Sequence, residues 1–258
     1  TDLKVPVFLG SSFAFISVIN QVKNTFNGDL SYAQGGIMVA GLLYIIMSMI
    51  IKVAGPKKVK KYFPPQVTGA MIMIIGLNLL PTAVEMAMNN IIVAIVTLSI
   101  AVGINKFGRG SIKQFSVIIA IFIGIAVSAF IGITDFSAVS KASLFAIPNF
   151  SAPKFSLKAI IIIAPVVLAV FMEHVGDITT NGAVVGKNFL EDPGLHKTLL
   201  GDGLATLVAG LIGGPANTTY GENTALLAIT KNYDPKLLRL TAIFAILIAC
   251  ISKFGAFL

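Results

Sequence analysis

Charged side chains are scarce in this sequence of 258 residues. Asp, Glu, Lys and Arg make up only 12% of it, whereas 56% of the residues are apolar and the mean hydropathy is +0.90. Soluble domains carry about 25% charged residues because their surfaces face water, so an ordinary soluble domain is excluded. Crossing a bilayer core takes about 20 apolar helical residues, which leaves room for roughly eight to ten spans. The chain is therefore predicted to be an integral membrane protein.

Residues that build metal centres and nucleophilic sites are also few. Cys250 is the only cysteine, which excludes a disulfide framework and a cysteine-based metal site. The two histidines, His174 and His196, lack the HExxH spacing of zinc proteases, and we interpret them as a structural residue and a turn residue. Neither a Walker motif nor a Gly-x-Gly-x-x-Gly motif occurs. The sequence therefore predicts no enzyme, no metal site and no cofactor.

Nine apolar segments account for most of the chain and predict nine membrane crossings. Seven of them are uninterrupted: Gly35–Ile51, Val67–Leu80, Ile91–Ile104, Phe115–Ile133, Ala159–Met172, Leu199–Gly213 and Leu237–Ile251. The other two, Val5–Ile19 and Ala216–Ile229, are interrupted near the middle by glycine and polar residues. The predicted fold class is an all-α membrane protein with two discontinuous spans.

Basic residues concentrate in every second loop between these segments. The loops after the second, fourth, sixth and eighth crossings hold most of them: Lys57, Lys58, Lys60, Lys61, Lys106, Arg109, Lys113, Lys187, Lys197, Lys231, Lys236 and Arg239. Cytoplasmic loops of membrane proteins collect Lys and Arg, so the basic loops are predicted to face the cytoplasm of a multi-pass cell-membrane protein. Topology also explains the net charge of +8, and nucleic acid is not a predicted partner.

The two interrupted segments run in opposite directions through the predicted membrane. Each begins with an extended stretch, Lys4–Leu9 or Ala216–Tyr220, and continues as a short helix, Ser11–Val18 or Glu222–Thr230. Extended backbone at membrane depth must have its N–H and C=O groups satisfied, and two antiparallel stretches satisfy each other. Both helix starts would then meet near the midplane, as in transporters built from inverted repeats. Ordinary helices kinked at glycine are the alternative.

Four carboxylates fall inside or at the edges of apolar segments, where charge is costly and usually functional. Glu173 and Asp177 are four residues apart and share one helix face, which suits a proton carrier, unless the helix ends at Met172 and both are solvated. Asp202 suits either a helix cap or proton coupling. Glu222 opens the second short helix and is interpreted as a ligand contact, with a purely helix-stabilising role as the alternative.

The predicted site combines carboxylates with the starts of two helices, and this combination indicates which kind of ligand it binds. Carboxylates accept hydrogen bonds, and free backbone N–H groups donate them. A small planar molecule with both N–H donors and C=O acceptors, such as a lactam, an imide or a nucleobase, satisfies both sets. An amino acid, whose ammonium a glutamate could bind, remains an alternative.

Several motifs of this sequence are specific enough to identify a family. The run Gly214–Thr224 (Gly-Pro-Ala-Asn-Thr-Thr-Tyr-Gly-Glu-Asn-Thr) is similar to the signature of the nucleobase–ascorbate transporter family, in particular of its uracil permease branch. Glu173–Gly176 (Glu-His-Val-Gly) looks like its acidic stretch, and Asp192–His196 and Leu9–Phe15 also match uracil permeases. The resemblance covers essentially the whole chain.

The resemblance implies a fold of fourteen spans in two domains with inverted repeats, of which this chain supplies about spans three to eleven. The chain starts at Thr1 rather than Met and stops at Leu258 within an apolar run, so we expect it to be an internal piece. A core domain is expected at residues 1–55 and 156–258, and a gate domain at residues 56–155.

The resemblance also implies proton-coupled import of uracil. The substrate-binding residues that it implies are Glu173, Glu222, Phe13, Gly221, Ser12 and Asn223, with the backbone contributing at Phe13 and Gly221. The proton-coupling residues expected are Glu173, Asp177 and Asp202. The expected partners are uracil or a related nucleobase, protons, the lipid bilayer and a second copy of the chain in a homodimer.

Three residues depart from the uracil branch. Asp177 stands where uracil permeases often have histidine, and Asp202 also resembles an acid of the purine branch. Ala225 replaces a glycine of the signature, and we expect its methyl group to tighten the packing of the short helix. A xanthine carrier of the same family is therefore an alternative, as is an uncoupled channel. An anion transporter of the related sulfate-carrier fold would have a basic residue near the site, and this site is acidic.

Overall fold

The structure is a computed structural model that describes residues 5–134, 136–147 and 150–257. Helices dominate the described residues, and the predicted all-α membrane fold class is confirmed. In chain order the elements are β1 (Leu9–Ser11), α1 (Ile16–Thr25), α2 (Ser31–Ala54), α3 (Pro56–Tyr62), α4 (Pro65–Met88), α5 (Ile91–Phe107), α6 (Ser111–Gln114), α7 (Ser116–Phe130), α8 (Ser137–Lys141), α9 (Leu157–Ile163), α10 (Val166–Val185), α11 (Leu195–Ile212), β2 (Asn217–Thr219), α12 (Gly221–Thr230), α13 (Pro235–Ala249) and α14 (Ser252–Phe257).

The two interrupted segments pair through β1 and β2, as the sequence predicts, but β1 shares only Leu9 with the predicted extended stretch Lys4–Leu9, whose first residue lies outside the described residues. The strands are antiparallel, with Leu9 opposite Thr219 and Ser11 opposite Asn217. Hydrogen bonds continue beyond them, from Ser12 N to the carbonyl of Ala216 at 2.8 Å. The backbone groups of both interruptions therefore satisfy each other, and the alternative of two ordinary kinked helices is wrong.

The first short helix starts later than predicted. Residue Ser11 is the last residue of β1, one 3-10 turn follows at Phe13–Phe15, and the regular helix begins at Ile16. The predicted bounds Ser11–Val18 are wrong because the strand pairing engages the backbone as far as Ser12. The second short helix begins at Gly221, one residue before the predicted start.

Glycine and proline separate α11 from β2. The helix ends at Gly213, whose φ of 96° lies in the left-handed region that glycine adopts readily. The next residue, Gly214, donates its N–H to the carbonyl of Ala209 at 2.7 Å, which caps the helix. Pro215 cannot continue a helix, so the chain turns and enters the strand.

Four helical stretches of the described residues are long and apolar enough to cross a membrane: Ser31–Ala54, Gln66–Met88, Leu157–Val185 and Leu190–Ile212. Two shorter apolar helices are Ile91–Phe107 and Ser116–Phe130. All seven uninterrupted apolar segments of the sequence are largely helical, and the count of nine crossings stays a prediction. His196 lies in the first turn of α11, so the prediction of a turn residue there is wrong.

The described residues form two compact units, one of residues 5–79 and 150–244 and the other of residues 80–134, 136–147 and 245–257. The first unit contains both strands, both short helices and all four carboxylates that are predicted to lie at membrane depth. In the second, α5 packs against α7, where a side chain on Gly124 would collide with Thr97. Compactness does not reveal which parts move together, so the core and gate division stays a prediction.

Helices α2 and α11 pack closely within the first unit. A Cβ atom on Gly41 would lie 2.6 Å from the backbone nitrogen of Leu207, and one on Gly203 would lie 2.9 Å from Cβ of Tyr44. Such contact requires residues without side chains and is typical of membrane helices, which gain little from hydrophobic burial. The tight pair supports α10, whose buried residues Val170 and Ile178 belong to the same core.

Candidate functional site

Helix α10 carries two of the predicted site carboxylates next to β2. The side chain of Thr219 donates a hydrogen bond to Oδ2 of Asp177 at 2.8 Å. The side chain of Thr218 donates a longer one to Oε2 of Glu173 at 3.4 Å. Because α10 continues unbroken to Val185, the alternative in which the helix ends at Met172 is wrong. Both acids are half-buried and keep oxygen atoms that these hydroxyl groups do not occupy.

The start of α12 lies beside Asp177. A Cβ atom on Gly221 would lie 3.2 Å from Oδ1 of Asp177, so the absence of a side chain lets the helix start approach this carboxylate. No side chain caps the helix, and the first N–H groups of a helix have no intrahelical acceptor. Glu222, the next residue, is exposed, and Asn223 is half-buried. This corner therefore offers both hydrogen-bond donors and acceptors.

Ser12 and Phe13, which are neighbours in the first interrupted span, differ in their exposure to a ligand. Phe13 is 52% exposed, whereas Ser12 is buried at 3% exposure. The N–H of Ser12 already donates to Ala216, and its hydroxyl oxygen has no hydrogen-bond partner within the described part of the chain. Phe13 is thus open to a ligand, while Ser12 lies inside the strand junction.

Tyr220 joins the two interrupted spans, and the sequence does not identify it as a site residue. Its hydroxyl donates to the backbone carbonyl of Ser11 at 3.0 Å. Its ring lies 6.3 Å from that of Phe13, with 18° between the ring planes, and 6.2 Å from that of Phe8. Its place directly before Gly221 and Glu222 was the signal that could have identified it.

Asn181 holds both spans against α10 and was also missed. This side chain is completely buried, and its Nδ2 donates to the carbonyl of Pro6 at 2.8 Å and to the hydroxyl of Thr224 at 3.3 Å. Pro6 precedes β1 and Thr224 lies in α12. One amide group therefore connects the two halves of the site to the helix that carries its acids.

Asp202 lies apart from these contacts and faces His174. The carboxylate Oδ2 is 3.5 Å from Nδ1 of His174, and neither side chain is more than 1% exposed. Nε2 of His174 is 3.0 Å from the hydroxyl of Thr198. Because Asp202 lies about two turns into α11, the alternative of a helix cap is wrong. His174 has the structural surroundings predicted for it.

The arrangement suits binding of a polar ligand. In the ranges that the structure describes, no three His, Cys, Asp or Glu side chains come together as metal ligands would. The carboxylates of Glu173 and Asp177 instead face the hydroxyl groups of Thr218 and Thr219, and Asp177 also lies beside the start of α12. Such a site can hold a molecule that has both N–H and C=O groups along its edge.

Comparison with known proteins agrees with the family resemblance. The family model described as "Permease family" matches residues 1–258. The chain is 39% identical to the probable uracil permease of Pasteurella multocida, covering 100% of this chain and 64% of that protein. It is 37% identical to the uracil permeases of Escherichia coli K12 and Bacillus subtilis 168, covering 98% and 99% of this chain and 61% and 63% of those proteins. The chain thus spans less than two thirds of the length of these relatives.

Proposed function

Because the chain belongs to the permease family, we propose that it carries the substrate site of a secondary active transporter that imports uracil together with protons. The observation that carries the proposal is the pairing of β1 with β2, which brings the start of α12 next to the acids of α10. Half-helix starts that meet at paired strands form the binding sites of transporters with inverted repeats. The names of the relatives support uracil as the substrate.

The groups around the site are complementary to uracil. The carboxylates of Glu173 and Glu222 would accept hydrogen bonds from the two N–H groups of the base. The backbone N–H groups of Phe13 and Gly221, each at the start of a helical turn, would donate to its two carbonyl groups. Asn223 and the hydroxyl of Ser12 complete the proposed set. This division of donors and acceptors favours an imide over an amino acid, whose ammonium would meet the donors of two helix starts.

Coupling to protons is proposed for the acids of α10 together with Asp202. Glu173 and Asp177 are one helical turn apart, and like charges at that separation repel when both are ionised. Protonation of one of them would lower the cost of closing the site around an uncharged base. Asp202, which lies beside His174, would respond through the same helix. The core domain (residues 1–55 and 156–258) would then move against the gate domain (residues 56–155).

The proposed location is the cell membrane, with the basic loops in the cytoplasm. A homodimer within the lipid bilayer is part of the same proposal. A xanthine carrier is the second candidate function, and Asp177 favours it because this residue resembles the acid of the purine branch. Competition between labelled uracil and unlabelled xanthine distinguishes the two candidates. A protonophore distinguishes symport from an uncoupled channel, since it abolishes accumulation only in a symporter.

The decisive experiment measures uptake of labelled uracil by the full-length protein with Glu222→Gln or Glu173→Gln. A hydrogen bond to a charged group contributes about 1.5–3 kcal/mol, so each variant should lose roughly 10- to 100-fold in uptake at low uracil concentration. Glu85→Gln is the matched control because Glu85 is an exposed glutamate of α4, and this variant should keep wild-type uptake. Unchanged uptake by Glu222→Gln would show that the assigned ligand contact is wrong.

A further inference from the structure

Gly10 lies at the middle of β1, directly under the side chain of Tyr220. A Cβ atom on Gly10 would lie 2.5 Å from Cζ of Tyr220 and 2.8 Å from Cε2 and from the hydroxyl oxygen. Real Cβ atoms essentially never approach other heavy atoms so closely. The φ angle of Gly10 is not in the left-handed region, so its backbone conformation does not require glycine. Glycine is required at this position because the ring of Tyr220 leaves no room for a side chain.

The ring of Tyr220 is held in this place from several sides. Its hydroxyl donates to the carbonyl of Ser11 at 3.0 Å and lies 3.3 Å from the side-chain oxygen of the same residue. The backbone N–H of Tyr220 donates to the carbonyl of Phe8 at 3.0 Å. A ring displaced from Gly10 would lose its bond to Ser11 and its position beside Phe13.

We propose that Gly10 is a positioning residue that fixes the ring of Tyr220 beside the substrate site. The ring shares its surroundings with the exposed ring of Phe13 and precedes Gly221 and Glu222 at the start of α12. A planar ligand held by Glu222 would pack against these rings, and aromatic contacts depend on ring position. Gly10 thereby controls how well a flat base is bound without touching it. This inference rests on the proposed function.

The test is a double-mutant cycle in the full-length protein with Gly10→Ala, Tyr220→Ala and the combination, read as the KM for uracil uptake and as the melting temperature in detergent. Gly10→Ala should raise KM by about fivefold or more and lower the melting temperature, because the ring must move. In the Tyr220→Ala background the colliding atoms are gone, so Gly10→Ala should add less than about twofold to KM. Tyr220→Phe keeps Cζ and should not relieve the defect.

Gly76→Ala is the matched control, because a Cβ atom on Gly76 would meet no atom of the described residues within 4 Å. It should leave KM unchanged and should not lower the melting temperature, since alanine is favoured over glycine inside a helix. Equal effects of Gly10→Ala in the presence and absence of the Tyr220 ring would overturn the proposal, as would a wild-type KM and melting temperature in Gly10→Ala. If the full-length protein did not transport uracil, the proposed function would fail. The melting temperatures of Gly10→Ala, Tyr220→Ala and the double variant would still test the contact between Gly10 and the ring of Tyr220.

Discussion

Adjacent residues of α10 belong to two polar clusters with opposite properties. The open cluster consists of Glu173 and Asp177 with the hydroxyl groups of Thr218 and Thr219, and both its acids are half-buried. The closed cluster consists of His174, Asp202 and Thr198, and its charged side chains are at most 1% exposed. Neighbouring positions on a helix point about 100° apart, so one helix serves both. The open cluster has free acceptor atoms, whereas the closed cluster has to satisfy itself.

The closed cluster is only partly hydrogen-bonded, because Nδ1 of His174 and both carboxylate oxygens of Asp202 have no hydrogen-bond partner among the described residues. Thr198 donates its only hydroxyl proton to the carbonyl of Leu195 at 3.0 Å, so the contact with His174 requires a proton on Nε2 of the ring. Nδ1 then faces Asp202. Both clusters contain an acid. They differ in whether a ligand can reach that acid, because the open cluster is half-buried and the closed cluster is fully buried.

Removing His174 should break the closed cluster and have the largest effect on the fold. His174→Ala leaves the carboxyl group of Asp202 buried without its neighbour, and a buried polar group left unsatisfied costs about 1–3 kcal/mol, and more when it is charged. We expect a strongly lowered melting temperature in detergent and a low yield of folded protein. His196→Ala removes a half-buried histidine that forms no ion pair in the described structure, and it should cost less than about 1 kcal/mol. A wild-type melting temperature for His174→Ala would mean that the cluster contributes nothing to stability.

The open cluster should respond less, and its two hydroxyl groups should respond unequally. Thr219→Val and Thr218→Val each remove a hydroxyl group without changing the shape of the side chain. A hydrogen bond contributes about 1 kcal/mol, so the loss of the 2.8 Å bond to Asp177 should reduce uracil uptake by about fivefold. The 3.4 Å bond to Glu173 is weaker, and its loss should cost less than about twofold.

Thr241→Val is the control for this pair, because Thr241 is an exposed residue of α13 whose hydroxyl donates to its own helix at Leu237. Its uptake should equal that of the wild type. If Thr218→Val proved at least as harmful as Thr219→Val, the ranking by hydrogen-bond length would be wrong, and Glu173 rather than Asp177 would be the acid that depends on β2.

Much of the open cluster can be predicted from the sequence. The spacing of Glu173 and Asp177 places them on one helix face, and Pro215 with Gly221 marks the interruption of the second span. Both are local patterns, and the structure has the same features. The bounds of β1 were less accessible, because Gly10 and its serine neighbours are typical of a turn. Their extended conformation depends on a partner strand more than 200 residues away.

The closed cluster shows where reasoning from one sequence ends. The spacing along α10 indicates that His174 points away from Glu173, but it does not indicate what His174 meets. Asp202 was interpreted as a helix cap or a coupling acid because the start of α11 at Leu195 was not recognised. Contacts such as those of Asn181 and of Gly10 with Tyr220 also join distant parts of the chain. Side-chain partners of this kind follow from the packing of helices, which residue spacing does not encode.

The exposed ion pair between Lys154 and Asp29 serves as a reference with which both clusters are compared. Lys154 Nζ lies 2.8 Å from Oδ2 of Asp29, and the N–H of Ser31 donates to Oδ1 of the same carboxylate at 3.0 Å. The hydrogen bond from Lys154, followed by that from Ser31, lowers the pKa of Asp29 from 3.8 to about 2. Because the folded-state pKa is depressed, the pair contributes stability above the unfolded value and loses that contribution as the pH falls towards 2.

Asp29→Asn should therefore have the smallest effect, and that effect should depend on pH. The pair is exposed to water, which screens it, so we expect only a slightly lower melting temperature at pH 7 and a smaller difference in high salt. The difference from the wild type should shrink as the pH falls from about 4 to about 2, since Asp29 takes up its proton near pH 4 in the unfolded chain but only near pH 2 in the folded protein. Asp234→Asn is the control, because Asp234 is exposed and its carboxylate accepts only the backbone N–H of Lys236 within the described structure. A difference that grew with acidity would show that Asp29 acts through its shape and not through its charge.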